Sequence, residues 1–183
     1  IQRGLYALIF GDIFMRCTNR IRPYEKIPGS TNRLHDKWRR RVIDFVTKKH
    51  MLSHAIYKRM CRDIIRDFDR LPITNKKKPR VGIVGEILVK FLPAANNELA
   101  NLLESEGAEA VIPDLTDFLL YCFYNTSFRQ ENLGASLKSW RVSNFGIQFF
   151  EWLRSAPRKA FEESRRFSPP AHIEELAEKA RDI

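Results

Sequence analysis

Residues 79–125, PRVGIVGEILVKFLPAANNELANLLESEGAEAVIPDLTDFLLYCFYN, constrain the fold most, because they read as strand, polar loop, helix, strand, helix. Val81-Gly82-Ile83-Val84 is a short apolar run rich in β-branched residues, entered through Pro79 and left through Gly85-Glu86. Such a run is the pattern of a strand buried on both faces, as in parallel sheets. Leu99, Leu102 and Leu103 recur at helical spacing, Glu104 and Glu106 take the other positions, and Gly107 supplies the left-handed residue that ends helices cheaply. The spacing predicts a helix from Ala95 to Glu106. Ala110-Val111-Ile112 is then a second strand, and a short helical crossover makes the pair parallel with a right-handed connection.

In open sheets of this kind ligands approach the carboxyl ends of the strands. Those ends carry Glu86, Lys90, Asn96 and Asn97 after the first strand, and Pro113 and Asp114 after the second. Glu86 is the one candidate for a catalytic acid or base, although a carboxylate there also serves ordinary loop hydrogen bonding. Asn96 and Asn97 either face a ligand or cap the helix.

The remainder of the chain is helical in pattern. Leu5, Leu8, Ile9, Ile13 and Phe14 place a helix over residues 3–21, with Asp12 among the apolar positions and Arg16 one turn later as its expected partner. RPYEKIPGSTN, residues 22–32, is a connector in which Ser30 or Thr31 caps a helix covering Asn32 to Lys49. Leu34, Trp38, Val42 and Phe45 are its apolar face, so Arg39-Arg40-Arg41 point to solvent. Tyr57, Cys61, Ile64 and Phe68 mark a third helix ending before Pro72, and ITNKKKPR, residues 73–80, leads into the first strand. Asp114 is positioned to cap a helix bearing Leu115, Phe118, Leu119, Cys122 and Phe123. Leu133 to Leu153 is helical, with Gly134 and Gly146 as points of interruption. Ser168-Pro169-Pro170 opens a last helix expected to bury Ile173, Leu176, Ala177 and Ala180.

The fold class is therefore α/β: a small parallel sheet with a βαβ crossover, a Rossmann-like lobe, joined to a helical N-terminal layer and C-terminal helices. The boundaries are 1–75 for the helical layer, 76–130 for the βαβ core and 131–183 for the C-terminal helices, together one compact unit. The chain opens on Ile1 and ends at Ile183 inside a charged helical pattern, and it is read as a piece of a longer protein. No apolar run approaches the roughly 20 residues that cross a bilayer, so the expectation is a soluble, cytoplasmic protein without a membrane partner.

Several chemistries lack their signatures: there is no GxGxxG, no GxxxxGKS or GxxxxGKT, no GxSxG and no HExxH. Cys17, Cys61 and Cys122 lie far apart without CxxC or Cys/His spacing, and each is expected to be buried and inert. His35, His50, His54 and His172 fall on different elements, with His50 and His54 at a helix junction. The formal charge of +10 comes from basic blocks including Lys76-Lys77-Lys78 with Arg80, and it favours polyanionic partners such as coenzyme A phosphates, with nucleic acid the less favoured choice. Lys78 and Arg80 precede the first strand, at the end opposite the expected cleft.

The stretch VGIVGEILVKFLPAANNELANLLESEGAEAVIPDLTDFLLYCFYN resembles a region of the 2-hydroxyacyl-CoA dehydratase activase-related proteins, which join activase-like ATPase modules to a dehydratase-subunit-like part. RPYEKIPGSTNRLHDKW and RRFSPPAHIEELAEKA resemble their flanking regions in collinear order. The resemblance implies a dehydratase-subunit-like lobe of an iron–sulfur system, with ATP-driven electron transfer, an acyl-CoA ligand and the remaining domains of the same parent as partners. It places Glu86, Lys90, Asn96 and Asn97 on an interdomain face, with Asp114, Tyr121 and Asn125 nearby. The cluster belongs to cysteines elsewhere in the parent, and no metal ligand or cofactor is expected on this piece. Gly85-Glu86 stands where related subunits carry a cysteine after the glycine. The alternatives are a polyanion-binding module and a regulatory or assembly domain.

Overall fold

Eight α-helices and two short strands make up the described part of the protein, a computed structural model covering residues 2–48, 52–133 and 136–180. Helix α1 runs Gln2–Ile21 and turns Tyr6, Ile9, Phe10, Ile13 and Cys17 inward, the i, i+3, i+4, i+7 stripe of an amphipathic helix. A 3-10 turn over Arg22–Tyr24 follows, entered through Pro23. Helix α2 spans Ser30–Thr47, burying Trp38 and Val42 and leaving Arg39, Arg40 and Arg41 exposed, as the pattern predicted.

The cap of α2 differs from the expected one. Glu25, five residues upstream of Ser30, accepts the backbone N–H groups of Gly29 and Thr31 and the Ser30 hydroxyl. A turn through Pro28 and Gly29, with Gly29 at φ +76°, folds the chain back far enough for the longer glutamate side chain to reach the helix start. Burial alone would raise the Glu25 pKa, but the bonds from Thr31, Gly29 and Ser30 hold it below the usual value.

Helix α3, His54–Asp69, is capped by Ser53, whose hydroxyl accepts the Ile56 N–H, and buries Tyr57, Cys61, Ile64, Ile65 and Phe68. These side chains meet α1, Trp38 and Val42 of α2, and Leu153, Ala160 and Phe161 of helix α7, Leu137–Glu162, in one hydrophobic cluster. Each fully buried Ile or Phe contributes roughly 1.5–3 kcal/mol. The core thus joins the first third of the sequence to its last third. A smaller cluster holds Leu120 of helix α6, Leu115–Leu133, against Ile147 and Phe150 of α7 and Ile173 of helix α8, Ile173–Lys179. Arg154, 2% exposed, spans α6 and α7 by bonding Asp117 at 2.5 Å and pairing with Glu151.

Strand β1, Arg80–Gly82, pairs in parallel with strand β2, Glu109–Val111, in a register that sets Val81 opposite Ala110. The parallel βαβ expectation therefore holds, with two corrections. Strand β1 is not buried on both faces: Val81 is 36% and Val84 80% exposed, and of this run Ile83 alone is buried. The described sheet has two strands and α1 packs on the β2 side, so no third strand among the described residues covers the outer edge of β1. Nor is the crossover one helix from Ala95 to Glu106. It is helix α4, Ile87–Phe91, a 3-10 turn over Pro93–Ala95, and helix α5, Leu99–Ser105. Asn97 and Glu98 hold φ near +55°, a left-handed pair that no helix passes through. Gly107, at φ +88°, ends α5 as expected, and the Ala108 N–H returns to the Leu103 carbonyl.

The helix predicted from Leu133 is α7, and it passes through Gly146 without a break. Gly134 lies outside the described residues. The last helix departs from its predicted face: Ile173 is buried, whereas Leu176 and Ala180 are exposed. No helix among the described residues is long and apolar enough to cross a membrane.

Candidate functional site

Ile83 and Ile112, the residues directly after β1 and β2, form the floor of a 350 Å3 cleft at the carboxyl ends of the strands. Lys90 and Asn96 line it together with Arg22, Phe91, Pro93 and Asn101. Two of the predicted residues therefore reach the predicted place. Asn96 fastens the wall: its amide donates to the Val89 and Lys90 carbonyls at 2.9 and 3.3 Å, and its Oδ1 accepts the Leu99 N–H at 3.2 Å. It thus ties the end of α4 to the start of α5, the capping alternative of the sequence reading. Lys90 Nζ lies 4.6 Å from the centroid of the Phe91 ring. Arg22 grips both oxygens of Glu104 at 2.7 Å and reaches Asn101 at 3.0 Å, which anchors the end of α1 to α5.

Glu86 stands before α4 as its N-cap, and its carboxylate accepts the Val89 N–H at 3.0 Å. That is the loop hydrogen bond set against the catalytic role in the sequence. Asn97 contributes its left-handed backbone to the turn before α5.

Asp114, Tyr121 and Asn125 sit elsewhere. Asp114 is buried and pairs with Arg16, with Nη2 at 2.7 Å and Nε at 3.3 Å. Burial pushes its pKa up to about 6; Arg16 opposes this, and the neighbouring Asp12 and Asp117 add to it. Arg16 was the expected partner of Asp12, and Asp114 the expected cap of α6; the structure exchanges these roles. Asp12 accepts the backbone N–H groups of Leu115 and Thr116 at 2.8 and 2.9 Å, capping α6 from α1, while Asp114 turns to Arg16. Tyr121, 55% exposed, lines a 360 Å3 apolar groove between α6 and α8 with Tyr124, Phe128 and Leu176. Asn125, one turn further along α6, is half-buried.

A second cleft was not foreseen. Arg16 and Arg20 of α1, Arg80 of β1 and Arg166 converge on β2 around a space of 200 Å3. Its floor holds Glu109, 2% exposed, which accepts from Arg20 Nη1, from Tyr24 Oη at 2.8 Å and from Arg80 Nε at 3.0 Å. Arg20 Nε donates to the Arg166 carbonyl, and Arg166 in turn donates to the Leu71 carbonyl. The i, i+4 spacing of Arg16 and Arg20 was the available sequence signal. What it lacked was the partner strand, 89 residues from Arg20.

Two of the three cysteines are poorly placed to ligate an iron–sulfur cluster. Cys17 and Cys61 are buried in the hydrophobic core, where burial raises both thiols and disfavours the thiolate that a cluster requires. Cys122 is exposed on α6, a correction to its expected burial, because the apolar stripe of α6 turns Leu119, Leu120 and Phe123 inward instead. His54 stacks on Trp152 at 4.5 Å and meets Tyr6 Oη at 3.1 Å, and burial lowers its pKa. His50 lies outside the described residues. Among the described residues, no three or more His, Cys, Asp or Glu side chains are grouped so as to hold a metal ion. No protein family, curated protein or solved structure matches the chain.

Proposed function

We propose that this chain is a noncatalytic, Rossmann-like lobe of a 2-hydroxyacyl-CoA dehydratase- or activase-like iron–sulfur system, supplying one wall of a cleft that other domains of the same parent complete. One observation carries the reading: parallel β1 and β2 end together at Ile83 and Ile112, and Lys90 and Asn96 stand over that end, in a segment whose sequence resembles the activase-related proteins. In this reading the cluster is bound by cysteines of the parent, an acyl-CoA occupies the completed cleft, and the protein works in the cytoplasm, where Cys17, Cys61 and Cys122 stay reduced. Fold alone does not decide function, so the support is the coincidence of cleft and resembling segment.

The residues at the cleft hold and position. Glu86 and Asn96 build the loop, and Lys90 offers one cation to an anionic ligand or neighbouring domain. Two measurements test this. Iron and acid-labile sulfide analysis of the anaerobically purified protein should find no stoichiometric cluster, and a cluster at stoichiometry would refute the noncatalytic role. Titration with an acyl-CoA should shift the amide resonances of Ile83, Lys90 and Ile112. Shifts confined to other residues, or none, would refute the cleft assignment.

A further inference from the structure

We infer that the arginine cleft on β2 is a binding site for a phosphate-class dianion, either free phosphate or a phosphate monoester. Four arginines, Arg16, Arg20, Arg80 and Arg166, line this space with one carboxylate, Glu109, while Asp114 holds Arg16 from outside the lining. Glu109 is shared. Arg20 and Arg80 both bond it, and Tyr24 Oη takes a further lone pair, so a single buried negative charge organises two arginines without neutralising both.

The guanidiniums are held in place before any ligand arrives. Arg20 lies over the Tyr24 ring at 5.4 Å and Arg16 over the Phe161 ring at 5.7 Å. Arg16 is further fixed by Asp114 and the Ser168 carbonyl, and Arg166 by the Leu71 carbonyl. Arg80, 64% exposed in its side chain, gives Nε to Glu109, and no bond of its Nη groups to the protein is seen among the described residues. Planar forks of this kind match the oxygens of phosphate in a bidentate manner, and side chains already immobilised lose little entropy on binding.

Size selects within the class. At 200 Å3 the space falls below the roughly 300–1,000 Å3 of sites that enclose drug-sized molecules, so it fits a small anionic group rather than a whole cofactor. Charge selects too: among lining residues that hold four arginines and one carboxylate, a dianion is attracted more strongly than a monoanion such as acetate. This cleft is lined by different residues from the strand-end cleft, apart from Asn19 and Ile112, and the inference does not depend on the dehydratase reading.

The test is a titration of the full chain with inorganic phosphate, with glycerol 3-phosphate and with acetate, read on the arginine Nε–Hε resonances. Saturable shifts of Arg20 and Arg80 with phosphate or its monoester, and not with acetate, are expected; the stronger of the two ligands tells free phosphate from ester. Arg80→Ala keeps Arg20 and Tyr24 on Glu109 and should weaken binding about tenfold, and Arg166→Gln provides the same reading if Arg80→Ala does not fold. Affinity should fall as salt rises. Absence of saturable shifts with both phosphates, equal response to acetate, or unchanged affinity in the variants would overturn the site.

Discussion

The Tyr57 hydroxyl donates to the Leu153 carbonyl at 2.9 Å, in the middle of the core. That carbonyl lies four residues before Pro157, which interrupts α7 chemically because proline has no N–H to return to it. A side chain from α3 thus supplies the donor that the α7 backbone lacks. Tyr57→Phe should destabilise the protein by about 1–3 kcal/mol, the cost of a buried unsatisfied carbonyl. In the Pro157→Ala background the same substitution should cost markedly less, since alanine at that position brings back the helical donor. A urea-denaturation double-mutant cycle measures the difference, and equal costs in both backgrounds would show that the bond does not compensate for the proline.

Asp12 caps α6 across the tertiary structure, and its loss should be felt more than that of a local neighbour of a helix start. Asp12→Ala removes the acceptor of both Leu115 and Thr116 N–H groups and is expected to cost about 2–3 kcal/mol. Ser30→Ala, at a position where Glu25 does the capping, should cost about 0.5 kcal/mol or less. Chemical denaturation of both variants tests the order; a reversed order would contradict the assigned caps.

Gly146 lies where α7 meets α6, and a Cβ built there would stand 2.9 Å from the Phe123 ring. Helix propensity favours Gly146→Ala by about 1 kcal/mol, whereas overpacking costs about 1–3 kcal/mol, so the substitution should destabilise. Phe123→Leu in the same chain should recover part of the loss. A higher melting temperature for Gly146→Ala alone would mean that the helices separate more easily than their packing implies.

Asp114 predicts an unusual pH dependence. Its carboxyl titrates near pH 6 in the folded protein against an ordinary 3.8, so the folded state holds the proton more tightly. The associated stabilisation is fully present below about pH 4 and is lost as pH rises through about 6. Glu25, lowered by its bonds, acts oppositely: its contribution is present above its ordinary value of 4.5 and lost on acidification. The stability of the native protein minus that of Asp114→Asn should therefore fall between pH 4 and 6, while the corresponding difference for Glu25→Gln should rise with pH only in the more acidic range up to about 4.5 and stay flat above it. Thermal melts across that range decide, and a flat or rising Asp114 difference refutes the assignment.

The three cysteines should separate into one reactive and two protected thiols. Cys122 is exposed, and Cys17 and Cys61 are buried with raised pKa values. An aromatic disulfide reagent should modify one thiol in the native protein and three after denaturation, and Cys122→Ser should abolish the native reaction. Rapid native modification of two or three thiols would contradict the core arrangement.

Local patterns announced the helices, because an apolar stripe repeats at the helical period whatever it packs against; the faces of α2 and α3 follow directly from Trp38 and Tyr57 and their neighbours, and that of α1 in part, through Ile9, Ile13 and Phe14, whereas Tyr6 and Phe10 were not read as part of it. The parallel direction of β1 and β2 was legible for a related reason, since a short helical crossover leaves little choice of direction, whereas the register that sets Val81 opposite Ala110 came from the structure. The strand-end cleft was legible to the extent that Lys90 and Asn96 lie within that crossover. Polar partnerships were not. Asp12 with Thr116, Arg20 with Glu109 and Tyr57 with Leu153 join residues 85 or more positions apart, and a charged or hydroxyl group has many chemically equivalent partners along a chain. Periodicity records which side of an element faces inward, but only packing in three dimensions determines which donor meets which acceptor there, and so the arginine cleft came into view with the fold and not before it.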